Sequence, residues 1–250
     1  MSAKTAGATA HHLLSISIVV PVLNEGPLIA EFLRHLRERA PEAEVIVVDG
    51  RSTDGTRAFA EPLCDRLLLG EAGRAHQLNL GATVARGDVL WFLHADSEVP
   101  TGSLDEIRRA LATPDVSGGY FRIRLPKKHI IYRLTDSFAH YVGIVLRIRC
   151  GDHGFFCRRG LFFQCGGFPD VPLMEDVEFF RKLHDFGRVR VVHRRMKTST
   201  RRYEQFGRAR VTFIYALIAS LYACRVPLRL LAEIHTATCQ PPADLGTVRT

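Results

Sequence analysis

The sequence predicts an α/β fold with a mostly parallel sheet covered on both faces, and three observations predict it. Apolar β-branched runs alternate with helical patterns four times in the first hundred residues. The runs are apolar nearly throughout, as strands buried on both faces are, rather than apolar at every second residue. The chain has 250 residues, 46% of them hydrophobic, which is enough for one sizeable core.

Taken in order, residues 1–12 read as a flexible tail. Residues 15–22 (SISIVVPV) form the first strand, punctuated by Asn24-Glu25-Gly26-Pro27. A helix follows with Leu28, Phe32, Leu33 and Leu36 on one face. Residues 45–48 (VIVV) form a second strand ending at Asp49-Gly50. Residues 52–56 are turn chemistry opening another helix, with Asp54 as its expected N-cap. A third strand spans 66–69, a helix 76–85, and a fourth strand 89–93 (VLWFL) ends on His94-Ala95-Asp96. The second half is less regular. Strands are expected at 118–125, 154–157 and 189–192, and helices at 130–146 and 175–186.

Composition narrows the partners. A formal net charge of +8 favours anionic ones: nucleic acid, phosphorylated small molecules or acidic lipid headgroups. Nucleic acid is the weakest, because neither an aromatic-basic RNA-binding motif nor zinc-finger spacing is present. The six cysteines include no Cys-x-x-Cys pair and no signal peptide precedes them, so reduced thiols in a cytoplasmic setting are expected. Residues 211–224 carry no charge between Arg210 and Arg225. This stretch is shorter than the about 20 apolar residues that a spanning helix needs. A core helix, an interface helix and a helix lying on a membrane surface all fit, so a peripheral membrane contact stays open.

In open parallel sheets, ligands bind beyond the carboxyl ends of the strands. Those ends carry Pro21 to Glu25, Asp49 and Asp96. Any one of these acids could be a turn former or a helix cap. Three at one edge favour a site.

The residues VVPVLNE (19–25), VVDGRSTDGT (47–56), GRAHQLNLGATVARGDVLWFLHAD (73–96), GDHGFFCRR (151–159), CGGFPDVPLMEDVEF (165–179) and STRRYEQFG (199–207) together resemble the family-2 glycosyltransferases of the GT-A fold. They look most like the small bacterial branch associated with radical-SAM and selenodomain proteins. The resemblance implies a mixed, mostly parallel α/β domain over 13–207. Its nucleotide-binding half is 13–100 and its acceptor half 101–207, and an apolar C-terminal helix and tail occupy 208–250. The implied reaction moves a sugar from a nucleotide-diphosphate donor to a hydroxyl acceptor, with inversion.

The resemblance also assigns roles. Pro21 and Glu25 frame the nucleotide. Asp49 accepts hydrogen bonds from the base or ribose, which suits a two-oxygen acceptor. Arg74 reaches the nucleotide. Asp96 binds a divalent cation, Mg²⁺ or Mn²⁺, through hard oxygen ligation. His94 departs from the family's first metal-side aspartate. Asp176 is the general base, taking the acceptor's proton, and Glu175, Gly167 and Phe168 lie on the acceptor side. His153 stands where relatives carry glutamine. It either shapes the acceptor pocket or is neutral. His193 is expected at a strand end, either as a structural histidine, the commoner case for a lone one, or approaching the metal as a late histidine does in some related folds. Arg194, Arg195, Arg201 and Arg202 read either as a solvated face or as contacts to diphosphate or lipid phosphate.

Two other readings are weighed. A nucleotidyltransferase would carry a glycine-rich basic loop after the first strand, but residues 19–27 hold one glycine and no basic residue. A nucleotide-sugar-binding protein without turnover would not need Asp49, Asp96 and Asp176 together.

Overall fold

The computed structural model describes residues 13–124, 148–198 and 201–239. The expected tail at 1–12 and the expected helix at 130–146 lie outside the described residues, as do the side chains of Arg201 and Arg202.

A seven-stranded sheet organises the chain. Its strands are β1 (Ile16–Val22), β2 (Glu44–Asp49), β3 (Arg66–Leu69), β4 (Val89–Phe92), β5 (Val116–Arg124), β6 (Phe156–Arg158) and β7 (Arg188–Lys197), in the order β3-β2-β1-β4-β6-β5-β7. β1 pairs in parallel with β2 and β4, and β2 with β3. β6 is antiparallel to both β4 and β5, while β5 and β7 are parallel. Six strands therefore share a direction and one opposes them.

Alternation along the strands explains the two covered faces. Ile16, Ile18, Val20 and Val22 of β1, with Val45, Val47, Val89 and Trp91, enter one apolar cluster. Val19, Ile46, Val48, Leu90 and Phe92 enter the other. The first face is closed by α1 (Gly26–Arg39) and α4 (Ser103–Leu111), and the second by α3 (Arg74–Val84), α5 (Arg159–Gln164) and α6 (Glu175–Phe186). A short α2 (Thr56–Ala60) lies between β2 and β3.

Two sequence expectations are corrected. On α1 the inward residues are Ile29, Phe32, Leu33 and Leu36, at i, i+3, i+4 and i+7, while Leu28 is left exposed about a quarter-turn away. The N-cap of α2 is Gly55, at φ +82°, not Asp54. Asp54 instead accepts from the Thr56 amide at 3.1 Å and the Thr56 hydroxyl at 2.5 Å.

Three more helices close the described chain: α7 (Arg201–Phe206), α8 (Arg208–Ala223) and α9 (Leu228–Cys239). Ile214, Ile218 and Tyr222 of α8 and Leu231 of α9 pack with Met174 and Val177 around the start of α6. The uncharged stretch at 211–224 is thus a docked helix, and no described helix is long and apolar enough to cross a membrane.

The chain leaves β1 towards β2 but reaches β4, on the other flank of β1, only through α3. That is a topological switch point, where a crevice opens at the carboxyl edge. α3 lies close against this switch. A Cβ on Gly81 would stand 2.3 Å from Val19 Cγ1 and 3.1 Å from Val48 Cγ2. Gly81→Ala should therefore destabilise the fold by about 1–3 kcal/mol in urea denaturation, even though alanine gains about 1 kcal/mol over glycine inside a helix. A variant more stable than the parent would show that α3 is not seated on the sheet.

Candidate active site

The carboxyl ends of β1 and β2 are bound to each other through their loops. Gly50 donates its amide to the Val22 carbonyl at 2.9 Å. The Thr56 hydroxyl accepts from the amides of Glu25 at 2.9 Å and Gly26 at 2.8 Å. Asn24, at φ +55°, accepts from the Thr53 amide at 2.9 Å through its side chain. Pro21 pairs with Val48 and Val22 with Asp49. The predicted residues Pro21, Glu25 and Asp49 thus stand on adjacent chain segments.

Asp49 is fully buried. One carboxylate oxygen accepts from the Ser52 amide at 3.0 Å. The other, Oδ1, is buried with no hydrogen-bond partner among the described residues. A buried carboxylate oxygen without a donor is costly, so this atom has an unused acceptor position.

Behind Asp49 sits Gln77, a residue that sequence reasoning missed. It is almost wholly buried, and its Nε2 donates to the carbonyls of Val22 and Val48, both at 2.8 Å. It therefore holds the ends of β1 and β2 together directly before Asp49. Asn79, two residues on, donates to the Phe168 carbonyl at 2.8 Å and accepts from the Phe168 amide at 3.0 Å. Two carboxamides, Gln77 and Asn79, set on either side of Leu78 in the helix were the available signal.

Arg74 opens the same helix. Its Nη1 lies 3.4 Å from Glu175 Oε1 and 4.0 Å from Asp176 Oδ2. Glu175 and Asp176 are the first residues of α6 and both are buried. Met174 before them takes φ +67° to turn the chain into the helix. Asp176 accepts from the Gly151 amide at 2.6 Å and from the Val177 amide at 2.7 Å. Burial raises its carboxyl most, and Glu175 raises it further. Arg74 and the two amides pull it down, leaving it at about 6. Burial works against the charge on Arg74, but Glu175 and Asp176 outweigh it and raise the guanidinium above its ordinary value.

Arg74, His94, Gly151, Phe168 and Asp176 line one narrow crevice. His94 Nε2 lies 3.7 Å from Asp152 Oδ1. A Cβ on Gly151 would stand 2.7 Å from His94 Nε2 and 3.4 Å from Asp176 Oδ2, so a side chain there would displace the His94 ring. Asp96 is exposed, two residues past His94, and Asp49 lies on the Gln77 side of α3. Of the predicted residues, then, Arg74, Glu175 and Asp176 touch directly. Phe168 lines the crevice and packs edge-on against Phe92, with ring centroids 4.9 Å apart. Gly167 is closed in by Asn79 and Phe162.

The two other histidines are placed differently. His153 shares a hydrogen bond of 2.9 Å with the Phe121 carbonyl through Nδ1, which ties its turn to β5. His193 does not end a strand, because β7 continues to Lys197. The β5–β7 register jumps from Phe121↔Val192 to Arg122↔Arg195, leaving His193 and Arg194 as a bulge. Arg194 pairs with Glu106 of α4 at 3.1 Å, and His193 lines a separate groove with Glu106 and Arg109.

Comparison with protein families identifies one. The profile described as "Glycosyl transferase family 2" matches residues 17–168. An uncharacterized Mycobacterium tuberculosis protein is 28% identical over 197 residues, covering 67% of this chain and 61% of its own. The chain thus spans about three fifths of that relative's length. Among solved structures, the mannosyltransferase PcManGT from Pyrobaculum calidifontis, in complex with GDP-Man and Mn²⁺, is 25% identical with a TM-score of 0.65, over 91% of this chain and 72% of that one. Glucosyl-3-phosphoglycerate synthase from Mycobacterium tuberculosis, in complex with Mn²⁺, UDP and phosphoglyceric acid, shares the fold with a TM-score of 0.62 at 18% identity, over 86% and 80% of the two chains.

The raised Asp176 carboxyl has a consequence for stability. An ordinary aspartate loses its proton near 3.9 in the unfolded chain, so between about pH 4 and pH 6 the folded chain binds the proton more readily. Stability from this group therefore falls as pH rises through that window and stays low above it. The stability of Asp176→Asn relative to the parent should therefore be higher at pH 7.5 than at pH 4.5, by on the order of 2 kcal/mol. Urea denaturation at pH 4.5 and pH 7.5 reads the difference, and an equal effect at both would contradict a raised carboxyl.

Proposed function

This chain belongs to glycosyl transferase family 2, and we propose that it moves a sugar from a nucleotide-diphosphate donor to a hydroxyl acceptor, with inversion at the anomeric carbon. The observation that carries the reading is the buried Asp176 at the crevice, held by two amides and facing Arg74.

The buried carboxylate suits a general base. The acceptor oxygen attacks the anomeric carbon as the bond to the diphosphate breaks, and Asp176 takes the hydroxyl proton. A base near 6 is ionised at neutral pH yet more basic than an ordinary aspartate. On the donor side, Asp49 Oδ1 offers its unused acceptor to the base or ribose, and Pro21 and Glu25 frame the same end of the sheet. Arg74, half exposed beside Asp176, is placed to reach the diphosphate while keeping the acid pair company. Phe168, Gly167 and Glu175 form the acceptor-side wall.

A divalent cation, Mg²⁺ or Mn²⁺, fits beside Asp96. The exposed carboxylate is a hard oxygen donor, and among the described residues no group of three His, Cys, Asp or Glu forms a ready-made cage. A cation held by one or two protein ligands with substrate phosphates and water matches that donor set. Bound there, it would supply Lewis acidity to the departing diphosphate.

Within the family, we further propose membership of the small branch associated with radical-SAM and selenodomain proteins, which the motifs quoted above resemble. The reading also includes a cytoplasmic setting with peripheral membrane contact through residues 211–224, supported by their lack of charge.

The test is transfer or slow donor hydrolysis followed by release of nucleoside diphosphate. Asp176→Asn should lower the rate by about 10²–10⁴-fold while nucleoside diphosphate still raises the melting temperature. Asp96→Ala should remove the stimulation by Mn²⁺. Parental rates in both variants, or pyrophosphate as the product, would defeat the proposal. In the parent, kcat/KM should fall about ten-fold per pH unit well below pH 6, as the base becomes protonated, and a flat profile down to pH 4.5 would exclude Asp176 as the base.

A further inference from the structure

We propose that the outward face of the C-terminal helix pair, formed by Phe213 and Leu217 of α8 and Leu230 of α9, docks onto an anionic lipid surface. This deepens the peripheral-membrane reading and rests on it, not on the chemistry of transfer.

The face is unusual for a surface helix. Residues 211–223 carry no charge. The inner side of α8 is already committed, since Ile214, Ile218 and Tyr222 are buried against Met174, Val177 and Leu231. The outer side nevertheless presents Phe213 at 67% exposure and Leu217 at 37%, with Leu230 of α9 at 48%. Soluble helices usually place charge on the side facing water. Here that side has only small residues, Ala216, Ser220 and Ala223, around the large apolar ones.

Length and charge select the occupant. α8 has 16 residues, or about 24 Å of helix, short of the about 30 Å hydrocarbon core. It therefore lies along a membrane rather than through it. Residues 208–239 contain four arginines and one glutamate. Arg210, Arg225 and Arg229 are exposed at the two ends of the pair, where anionic headgroups would meet them. A second copy packed through the same face would set four arginines against four.

The docked face is rigidly joined to the crevice. The Tyr222 hydroxyl donates to Glu178 of α6 and accepts from Arg181 of α6 at 3.0 Å. Met174 and Val177, in the same apolar cluster, bracket Glu175 and Asp176. Binding by α8 thus fixes the attitude of the crevice to the lipid surface.

Co-sedimentation of the full chain with vesicles tests this. It should pellet with equal parts phosphatidylglycerol and phosphatidylcholine, and remain in solution with phosphatidylcholine alone. Phe213→Ser combined with Leu217→Ser should weaken binding about ten-fold or more, and Arg225→Gln with Arg229→Gln roughly twenty-fold, at about five-fold per arginine. These side chains are exposed, so circular dichroism and the thermal shift with nucleoside diphosphate should not change. No pelleting with anionic vesicles, or equal binding by the Phe213/Leu217 variant, would overturn the proposal. So would a concentration-dependent dimer that this variant abolishes. Retained nucleoside diphosphate binding in the same samples would leave the transferase reading standing.

Discussion

The site depends on one electrostatic constraint: two adjacent buried carboxylates, Glu175 and Asp176, open a helix and need a cation. The α6 N-terminus offers amides and a favourable dipole, and Asp176 uses the Val177 amide. That is not enough for two charges out of water. Arg74 supplies the remainder from the start of α3, so α3 has to begin beside α6. The balance is incomplete, which leaves the Asp176 carboxyl at about 6. The residual cost of burial keeps that carboxyl more basic than an ordinary aspartate.

Once Arg74 is fixed, the rest of α3 follows by helical spacing. Gln77 falls on the carbonyls of Val22 and Val48, and Asn79 on the backbone of Phe168. One helix therefore clamps the ends of β1 and β2 on one flank and the backbone of Phe168 on the other. The tight seat of Gly81 on Val19 keeps that clamp pressed against the sheet. The C-terminal pair adds support from outside, because α8 packs on the very turn that presents the acid pair.

Much of this was legible from the residues alone. The first four strands and the helix at 175–186 stand where apolar runs and punctuation put them, because parallel strands buried on both faces leave an unambiguous pattern. Boundaries were less legible where burial is one-sided. β7 extends five residues past its apolar part because its last turn of pairing with β5 resumes after a bulge, and a bulge leaves no periodic trace. Leu28 was misplaced on the inward face of α1 because Leu28 and Ile29 are adjacent, and hydrophobicity alone does not decide between neighbours a quarter-turn apart. The acids at the strand ends were legible as a group, because parallel strands must deliver their termini to one edge.

What the sequence determined, then, is which residue types arrive at the carboxyl edge, since strand direction follows from the alternation of strands and helices. What only the tertiary structure decided is what each of them faces. The double clamp of Gln77 and the approach of Arg74 to Asp176 join residues far apart in the chain. Their burial and charge balance are set by packing, and no local pattern encodes a distance between side chains that meet only after the sheet has closed.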